Sequence, residues 1–415
     1  MSLAAGVVPV CLKMANITPI PKCPRPNKPA DFRPISILPV LSKVFEKLVL
    51  KKWILPIIVS KVNDSQFAYL SRPGSGATCA LVLTIHRILN FLDSSSGAVR
   101  LLSVDFAKAF DKLPHDIILN ACSKFDVDAP LTRWIASFLD GRTQRVSVNG
   151  FTSDWCEITS GVPQGSVLGP VLFCLVLDGF SSACENTAVV KYADDLSILH
   201  FIRGTSDDNL QVEWDSLQRW SKSVHLPINY DKCSVMDIVT KSNMNLAPIL
   251  CNNSSLKNVS FVSFLGVTLS KDLKWTRHFD NCIRKASKRI FIIRNLRRAR
   301  CPSHLIFRAY ASFIRSVLLY AAPCFCNAPN HLLVKFLRIE RRIFRIIGSD
   351  SFPSLIDAFN NSCCKLFSAV HKYPRHTLRQ MFSRRNCNVT RATCTLRPPF
   401  ARTSRFKNSF IKFCK

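Results

Sequence analysis

The stretch "VVKYADDLSIL" at residues 189–199 sets two adjacent carboxylates, Asp194 and Asp195, inside an apolar run. Val189, Val190, Ala193, Leu196, Ile198 and Leu199 favour a core, whereas neighbouring like charges repel and Asp is a poor strand or helix former. The stretch reads as two short buried strand halves hinged at Ala193–Asp195, with the acidic pair at the tip. A plain hairpin turn would usually take Asp-Gly or Asn-Gly there. Any fold for this chain must therefore bury both flanks while keeping the tip polar.

A second carboxylate site lies upstream. "VRLLSVDFAKAFDKLPHDIILNAC" opens with an apolar strand candidate at 99–104 and then turns helix-like up to Pro114, so Asp105 sits where a buried strand ends. By itself Asp105 could equally be a strand-end or helix-capping residue. If strand and hairpin are neighbours in one antiparallel sheet, Asp105, Asp194 and Asp195 converge across 89 residues of chain. Unit charges about 4 Å apart repel by about 4 kcal/mol at an effective dielectric near 20. Divalent cations relieve such repulsion, and Mg²⁺ keeps open positions for phosphate oxygens. Two ions about 3.5–4 Å apart suit an in-line phosphoryl transfer.

Around this constellation strands and helices alternate. Residues 17–40, rich in Pro and basic residues, read as extended strands and turns. "LSKVFEKLVLKKWILPII" then puts Val44, Leu48 and Leu55 at helical spacing, with Ser42 as N-cap. An apolar helix is expected at 79–92. "RTQRVSVN" with "SDWCEIT" reads as a β-hairpin, and "GVPQGSVLGPVLFCLVLDGF" as a Gly/Pro turn entering an apolar helix. Leu210, Trp214, Leu217 and Trp220 share one helical face, and "FVSFLGVTLS" reads as strand, Gly turn, strand. Beyond Lys271 the pattern is helical and basic, and the last sixty residues are polar and basic with weaker periodicity.

Charge divides the chain unevenly. Lys271–Lys415 holds 31 Lys and Arg against 5 Asp and Glu, a net of +26 that leaves only +4 of the total +30 for the first 270 residues. A near-neutral body with a basic C-terminal third points to a polyanionic partner, most simply nucleic acid. No apolar run reaches the roughly 18 residues of a membrane span, so no membrane partner is expected. The 18 cysteines are scattered without a Cys-x-x-Cys pair, which favours reduced thiols in an intracellular protein.

"YADD" at 192–195, "LLSVDFAKAFDKLPH" at 101–115 and "GVPQGSVLGP" at 161–170 together closely resemble the reverse transcriptases of non-LTR (LINE-type) retrotransposons, the jockey and CR1-like groups in particular. "DFRPISILPVLSKVFEKLV" resembles the fingers block, and "WSKSVHLPINYDKCSVM" and "FVSFLGVTLSKDLKWTRHF" the blocks after the catalytic hairpin. "FLRIERRIFRIIG" and "RTSRFKNSF" are similar to segments beyond the thumb. "VLDGF" at 176–180 and His225 depart from the usual pattern.

The resemblance implies that Asp105, Asp194 and Asp195 bind two Mg²⁺ ions, with Mn²⁺ as an alternative, and that the Phe106 carbonyl lies nearby. It implies that Phe110 is a steric gate selecting dNTPs over rNTPs, and that Gln164 and Gly165 border nucleotide and template. Lys22 and Arg33 fall in the block facing the triphosphate; Lys22, Arg25 and Lys28 are not distinguished from one another. Lys232 matches a position that could protonate pyrophosphate, with a surface Lys as the alternative. Phe264, Leu265 and Gly266 match the turn that holds the primer end.

The fold expected is α+β, a right-hand polymerase with fingers, an antiparallel-sheet palm, a helical thumb and a basic helical C-terminal extension. The boundaries expected are fingers and N-terminal extension 1–98, palm with remaining fingers elements 99–270, thumb 271–350 and C-terminal extension 351–415. The function implied is RNA-directed DNA polymerisation from dNTPs, on an RNA template, from a DNA primer or nicked target DNA. A domesticated or inactive nucleic-acid-binding remnant is the alternative. No upstream endonuclease-like segment is expected in this chain. Basic runs such as "RNLRRAR" read equally as nuclear signals, a nucleic-acid face or a solvated helix; the location expected is the nucleus, with the cytoplasm as alternative.

Overall fold

In a computed structural model, the chain is described apart from residues 1, 205–206, 240–243, 245, 252–253, 327, 350, 385–395, 398, 408 and 411–415. Helix α1 (Ser2–Ala5) precedes strands β1 (Met14–Pro21) and β2 (Phe32–Ile37). Then come α2 (Val40–Val49), a π-helical turn at Leu50–Ile54, α3 (Leu55–Ile58), α4 (Ala77–Ser94) and β3 (Ala98–Val104). Helices α5 (Ala109–Lys112), α6 (His115–Lys124) and α7 (Ala129–Leu139) lead to β4 (Arg142–Val148), β5 (Phe151–Thr152) and β6 (Cys156–Ile158). Helix α8 (Gly169–Asp178), β7 (Thr187–Tyr192), β8 (Asp195–Ile202), α9 (Leu210–Ser223) and β9 (Ser234–Val239) follow. After a hairpin of Phe261–Phe264 with Val267–Ser270 the chain is mainly helical: α10 (Thr276–Arg298), α11 (Ser303–Tyr310), α12 (Ser316–Leu318), α13 (Asn330–Ile347), α14 (Leu355–Lys372) and α15 (Ser404–Lys407).

The central sheet runs β9–β3–β8–β7, all antiparallel, and Lys257–Asn258 adds to β9 in parallel. Both of its faces are covered, which is why its strands are apolar on successive residues rather than alternately. Val99 and Leu101 of β3, Leu199 of β8 and Met236 and Ile238 of β9 face a core shared with α4, α10, α13 and α14. Leu102 and Val104, Leu196 and Ile198, and Val235 face the opposite core, built with α6, α7, α8 and α9. A second sheet runs β2–β1–β4, with β5 and β6 both paired to β4. Cys79, Cys122, Cys174 and Cys233 are buried, and burial raises each of these thiols to about 11 or 12. Among the described residues no helix is long and apolar enough to cross a membrane.

One expectation changes. Ser42 does not cap α2, which begins at Val40 after Pro39; the helix buries Ser42, Glu46 and Val49 and exposes Val44 and Leu48. Helical spacing tells which residues share a face, not which way that face turns. Glu46 turns it, because its carboxylate accepts from Val167 N at 2.7 Å, Leu168 N at 3.1 Å and Ser42 Oγ at 3.1 Å. Near the C-terminus, α14 is an eighteen-residue helix whose Leu355, Phe359, Cys363 and Val370 are buried. The last segment also folds back onto α4, with Phe406 fully buried against His86.

Candidate active site

Register places the acidic residues. β3 pairs with β8 up to Val104↔Leu196, so the next position of each strand brings Asp105 beside Asp195 at the hairpin tip. The tip is a two-residue turn, Ala193–Asp194, closed by the pair Tyr192↔Asp195. Ala193 sits at φ 55°, the left-handed conformation that such turns need at their first central residue. On the other side of β3, Asn229 N donates to Asp105 O at 2.8 Å and Ala107 N to Pro227 O at 2.7 Å, which pins the end of the strand.

Desolvation and mutual repulsion act on these carboxylates. Asp195 is pushed up to about 6, first by burial and then by the charges of Asp194 and Asp105. Asp194 is also raised, mainly by burial; the nearby Asp105 adds to this, while Arg33 and Lys232 oppose it. Asp105 Oδ2 is buried without a hydrogen bond, and Lys232 Nζ stands 3.3 Å from it as a counter-ion. Such oxygen donors of like charge, one of them orphaned, suit a hard divalent cation. Among the described residues, however, no group of three or more His, Cys, Asp or Glu side chains is arranged to hold a metal ion.

Lys22, Arg33, Asp105, Phe106, Phe110, Gln164, Asp194 and Lys232 line one open cleft of about 1050 Å³. Arg33 reaches it from β2, where it pairs with Ile20 of β1. Lys22 is partly committed, donating from Nζ to Ala30 O at 2.9 Å. Phe106 is buried edge-on to Trp220, which anchors the chain just past Asp105. Phe110 is half-buried, its ring 4.8 Å from that of Phe173, and its edge borders the cleft.

The turn at 161–166 is laced to the Phe110 segment. Val162 N donates to Phe110 O at 2.7 Å, Gly161 N to Leu113 O at 2.8 Å and Gln164 Nε2 to Asp111 Oδ1 at 2.7 Å. Gly161 has φ 80°, and a Cβ there would lie 2.5 Å from Phe110 O. Gly165 has φ 133°, and a Cβ there would lie 2.5 Å from Ser36 O. Gly165 is thus required by the approach of β2, and the cleft lining does not include it. Neither does the lining include Asp195 or the turn Phe264–Gly266. Phe264 is buried, and Tyr320 Oη donates to Leu265 O at 2.8 Å. Burial raises the pKa of the Tyr320 hydroxyl, with a smaller contribution from Tyr192.

Asp111, which lines the cleft, and two residues outside its lining, Glu46 and Tyr69, carry no local sequence signal. Asp111 matters through Gln164, fifty-three residues away in the chain. Glu46 holds the amides just after the Gln164 turn. Tyr69, at the strained φ of 59°, lies within electrostatic reach of Asp194 and Tyr192.

A family model described as reverse transcriptase (RNA-dependent DNA polymerase) matches residues 20–269. The RNA-directed DNA polymerase from mobile element jockey of Drosophila melanogaster is 25% identical over 413 residues, covering 91% of this chain and 44% of the relative. A probable RNA-directed DNA polymerase from transposon X-element of the same organism is 28% identical, covering 88% and 38%. The chain therefore spans less than half the length of these relatives. Among solved structures, apo telomerase from Candida tropicalis superposes with a TM-score of 0.48 at 12% identity, covering 89% of this chain and 67% of that one.

Proposed function

The chain belongs to the reverse transcriptase family, and we propose that it is an RNA-directed DNA polymerase of a jockey-like non-LTR retrotransposon. The observation that carries this reading is the register of β3 against β8, which sets Asp105 beside the Asp194–Asp195 tip at the edge of a cleft rimmed by Arg33, Lys22 and Lys232. Residues 1–98 would serve as fingers, 99–270 as palm, 271–350 as thumb and 351–415 as a C-terminal extension.

In this reading a primer 3′-oxygen attacks the α-phosphorus of a dNTP, forming one P–O bond and releasing pyrophosphate. Asp105, Asp194 and Asp195 would hold divalent cations, Mg²⁺ or Mn²⁺, which supply charge stabilisation at the attacking and leaving oxygens. Arg33 would grip the triphosphate with its planar fork. Lys232 would give a proton to the leaving pyrophosphate. Phe110 would close the space beneath the sugar against a 2′-hydroxyl. The Gln164 turn, held by Asp111, would border the nascent base pair, and the Phe264–Gly266 turn the primer end. The basic faces of α10 and α13, with Arg284, Lys288, Arg338, Arg341 and Arg345 exposed, would take phosphates of the template–primer duplex.

The test is incorporation of dNTPs on a primed RNA template by the folded chain with Mg²⁺ or Mn²⁺. Synthesis that is lost in Asp194→Ala supports the proposal. Salt-sensitive nucleic-acid binding without synthesis, by folded wild type, would overturn it in favour of an inactive binding remnant.

A further inference from the structure

Helix α2 wears an apolar stripe on its outside. Leu41, Val44, Phe45 and Leu48 are at i, i+3, i+4 and i+7, and they are exposed by 64, 47, 43 and 55%. Ile37 and Val40 extend the stripe at its N-terminal end, also exposed. The spacing is that of a helix face prepared for packing, yet the inner face of α2 is already used by Ser42, Glu46 and Val49. Contiguous exposed apolar surface of this kind marks an interaction site rather than chance exposure.

The charges around the stripe indicate its occupant. Between Phe32 and Asn63 the chain carries one acidic residue, Glu46, and it is buried against the amides of Val167 and Leu168. Lys47, Lys51 and Lys52 are exposed beside or below the stripe and Lys43 is half-buried on its flank. Lys52 lies over Trp53, 5.1 Å from the ring centroid, at the C-terminal end. We propose that the outer face of α2 is a docking site for an acidic amphipathic helix of a partner protein, its apolar side seated on Leu41, Val44, Phe45 and Leu48 and its carboxylates on the surrounding lysines.

Other occupants fit less well. A second copy would bring the same lysines together, in a chain that already carries +30. Nucleic acid gains little from Leu41, Val44 and Leu48, which make up most of the stripe, since strand binding uses stacking platforms and phosphate contacts. An α-helix of ten residues is about 15 Å long, which matches roughly three turns of a docked helix. None of the stripe residues lines the polymerase cleft, so the proposal does not depend on the activity.

The experiment uses fluorescence anisotropy of the full chain with a labelled designed helix of about 20 residues, Leu on one face and Glu on both flanks. One control peptide keeps the Leu face with Lys flanks, and the other keeps the Glu flanks with Ser in place of Leu. The expected result is binding of the first peptide at least about ten-fold tighter than either control, weakening as salt rises. Val44→Glu with Leu48→Glu, both at exposed positions, is expected to weaken it by about ten-fold or more with an unchanged melting temperature. Lys47→Glu with Lys51→Glu is expected to weaken the acidic peptide only. No binding up to about 1 mM, equal binding of the Lys-flanked peptide, or indifference to the Val44/Leu48 substitutions would each overturn the proposal. So would concentration-dependent dimerisation, or binding to phosphatidylserine vesicles, that the same pair of substitutions abolishes.

Discussion

Gln164 donates its side-chain amide to Asp111 Oδ1 at 2.7 Å, joining the glycine-bearing turn before α8 to the short helix that carries Phe110. Neither residue is among the proposed cation-binding carboxylates, yet both line the cleft beside Phe110, and their bond joins two parts of its wall. Gln164→Ala and Asp111→Ala are each expected to lower kcat/KM, and the double variant to lose less than the two combined. A coupling of about 1 kcal/mol is expected from a double-mutant cycle on dNTP incorporation. Strict additivity would mean that the bond does not position the nucleotide.

Phe110 lies against Phe173 with its ring centroid 4.8 Å away, which holds it at the cleft edge rather than free in solution. Phe110→Val removes the bulk beneath the sugar while keeping an apolar side chain. The discrimination between dNTP and rNTP, measured as the ratio of kcat/KM values, is expected to fall about 100-fold, mainly through better use of rNTPs. A fall in dNTP use without a gain in rNTP use would assign Phe110 to packing alone.

The parts of this architecture that could be read from sequence are those whose surroundings leave a local pattern. Strands 99–104 and 187–202 are buried on both faces, so their apolar runs betray them, and their ends locate Asp105, Asp194 and Asp195. Helix α2 was legible as a helix but not in orientation, because the polar Glu46 is drawn inward by two backbone amides that lie 121 and 122 residues away. The Asp111–Gln164 pair and the Tyr320–Leu265 bond are likewise long-range, and spacing within a segment carries no trace of them. Near the C-terminus the described Lys365, Lys372, Arg375, Arg402, Arg405 and Lys407 are exposed, while Leu355, Phe359, Cys363, Val370 and Phe406 carry the packing.

Asp195 predicts a pH dependence of stability. Its pKa is raised to about 6 by burial and by the neighbouring carboxylates, so the folded state holds this proton more tightly than the unfolded state. The stabilisation is complete below the unfolded value and is lost as pH rises through about 6. Asp194, raised in the same direction, acts in the same sense. In metal-free buffer Asp195→Asn is therefore expected to melt above wild type at pH 8, with the gap closing toward pH 4. Added Mg²⁺ is expected to raise the wild-type melting temperature more than that of the variant. A variant less stable than wild type at pH 8 without metal would contradict the repulsion.

Lys232 stands 3.3 Å from Asp105 Oδ2 with most of its side chain in solvent. A surface lysine in this position can be replaced without effect on folding, whereas a proton donor cannot be replaced without effect on turnover. Lys232→Gln is expected to leave the melting temperature unchanged and to lower kcat by about 100-fold. The half-saturating Mg²⁺ concentration is expected to fall, because a competing cation has left Asp105. Unchanged kcat would reduce Lys232 to a counter-ion.

Phe406 tests whether the C-terminal segment is part of the fold. It is fully buried, its ring 5.5 Å from that of His86 on α4, and Arg402 N nearby donates to Asp93 Oδ2 at 2.8 Å. His86 is held down to about 4 by burial, so a neutral imidazole meets the aromatic ring. Phe406→Ala is expected to cost about 3–5 kcal/mol, as other large-to-small changes at closed core sites do. Arg405→Gln, exposed one residue earlier, is expected to change stability by less than about 0.5 kcal/mol. Chemical denaturation of the two variants separates the cases: a basic tail that only contacts nucleic acid would leave both midpoints at the wild-type value, whereas a segment that closes the core over α4 moves the first and spares the second.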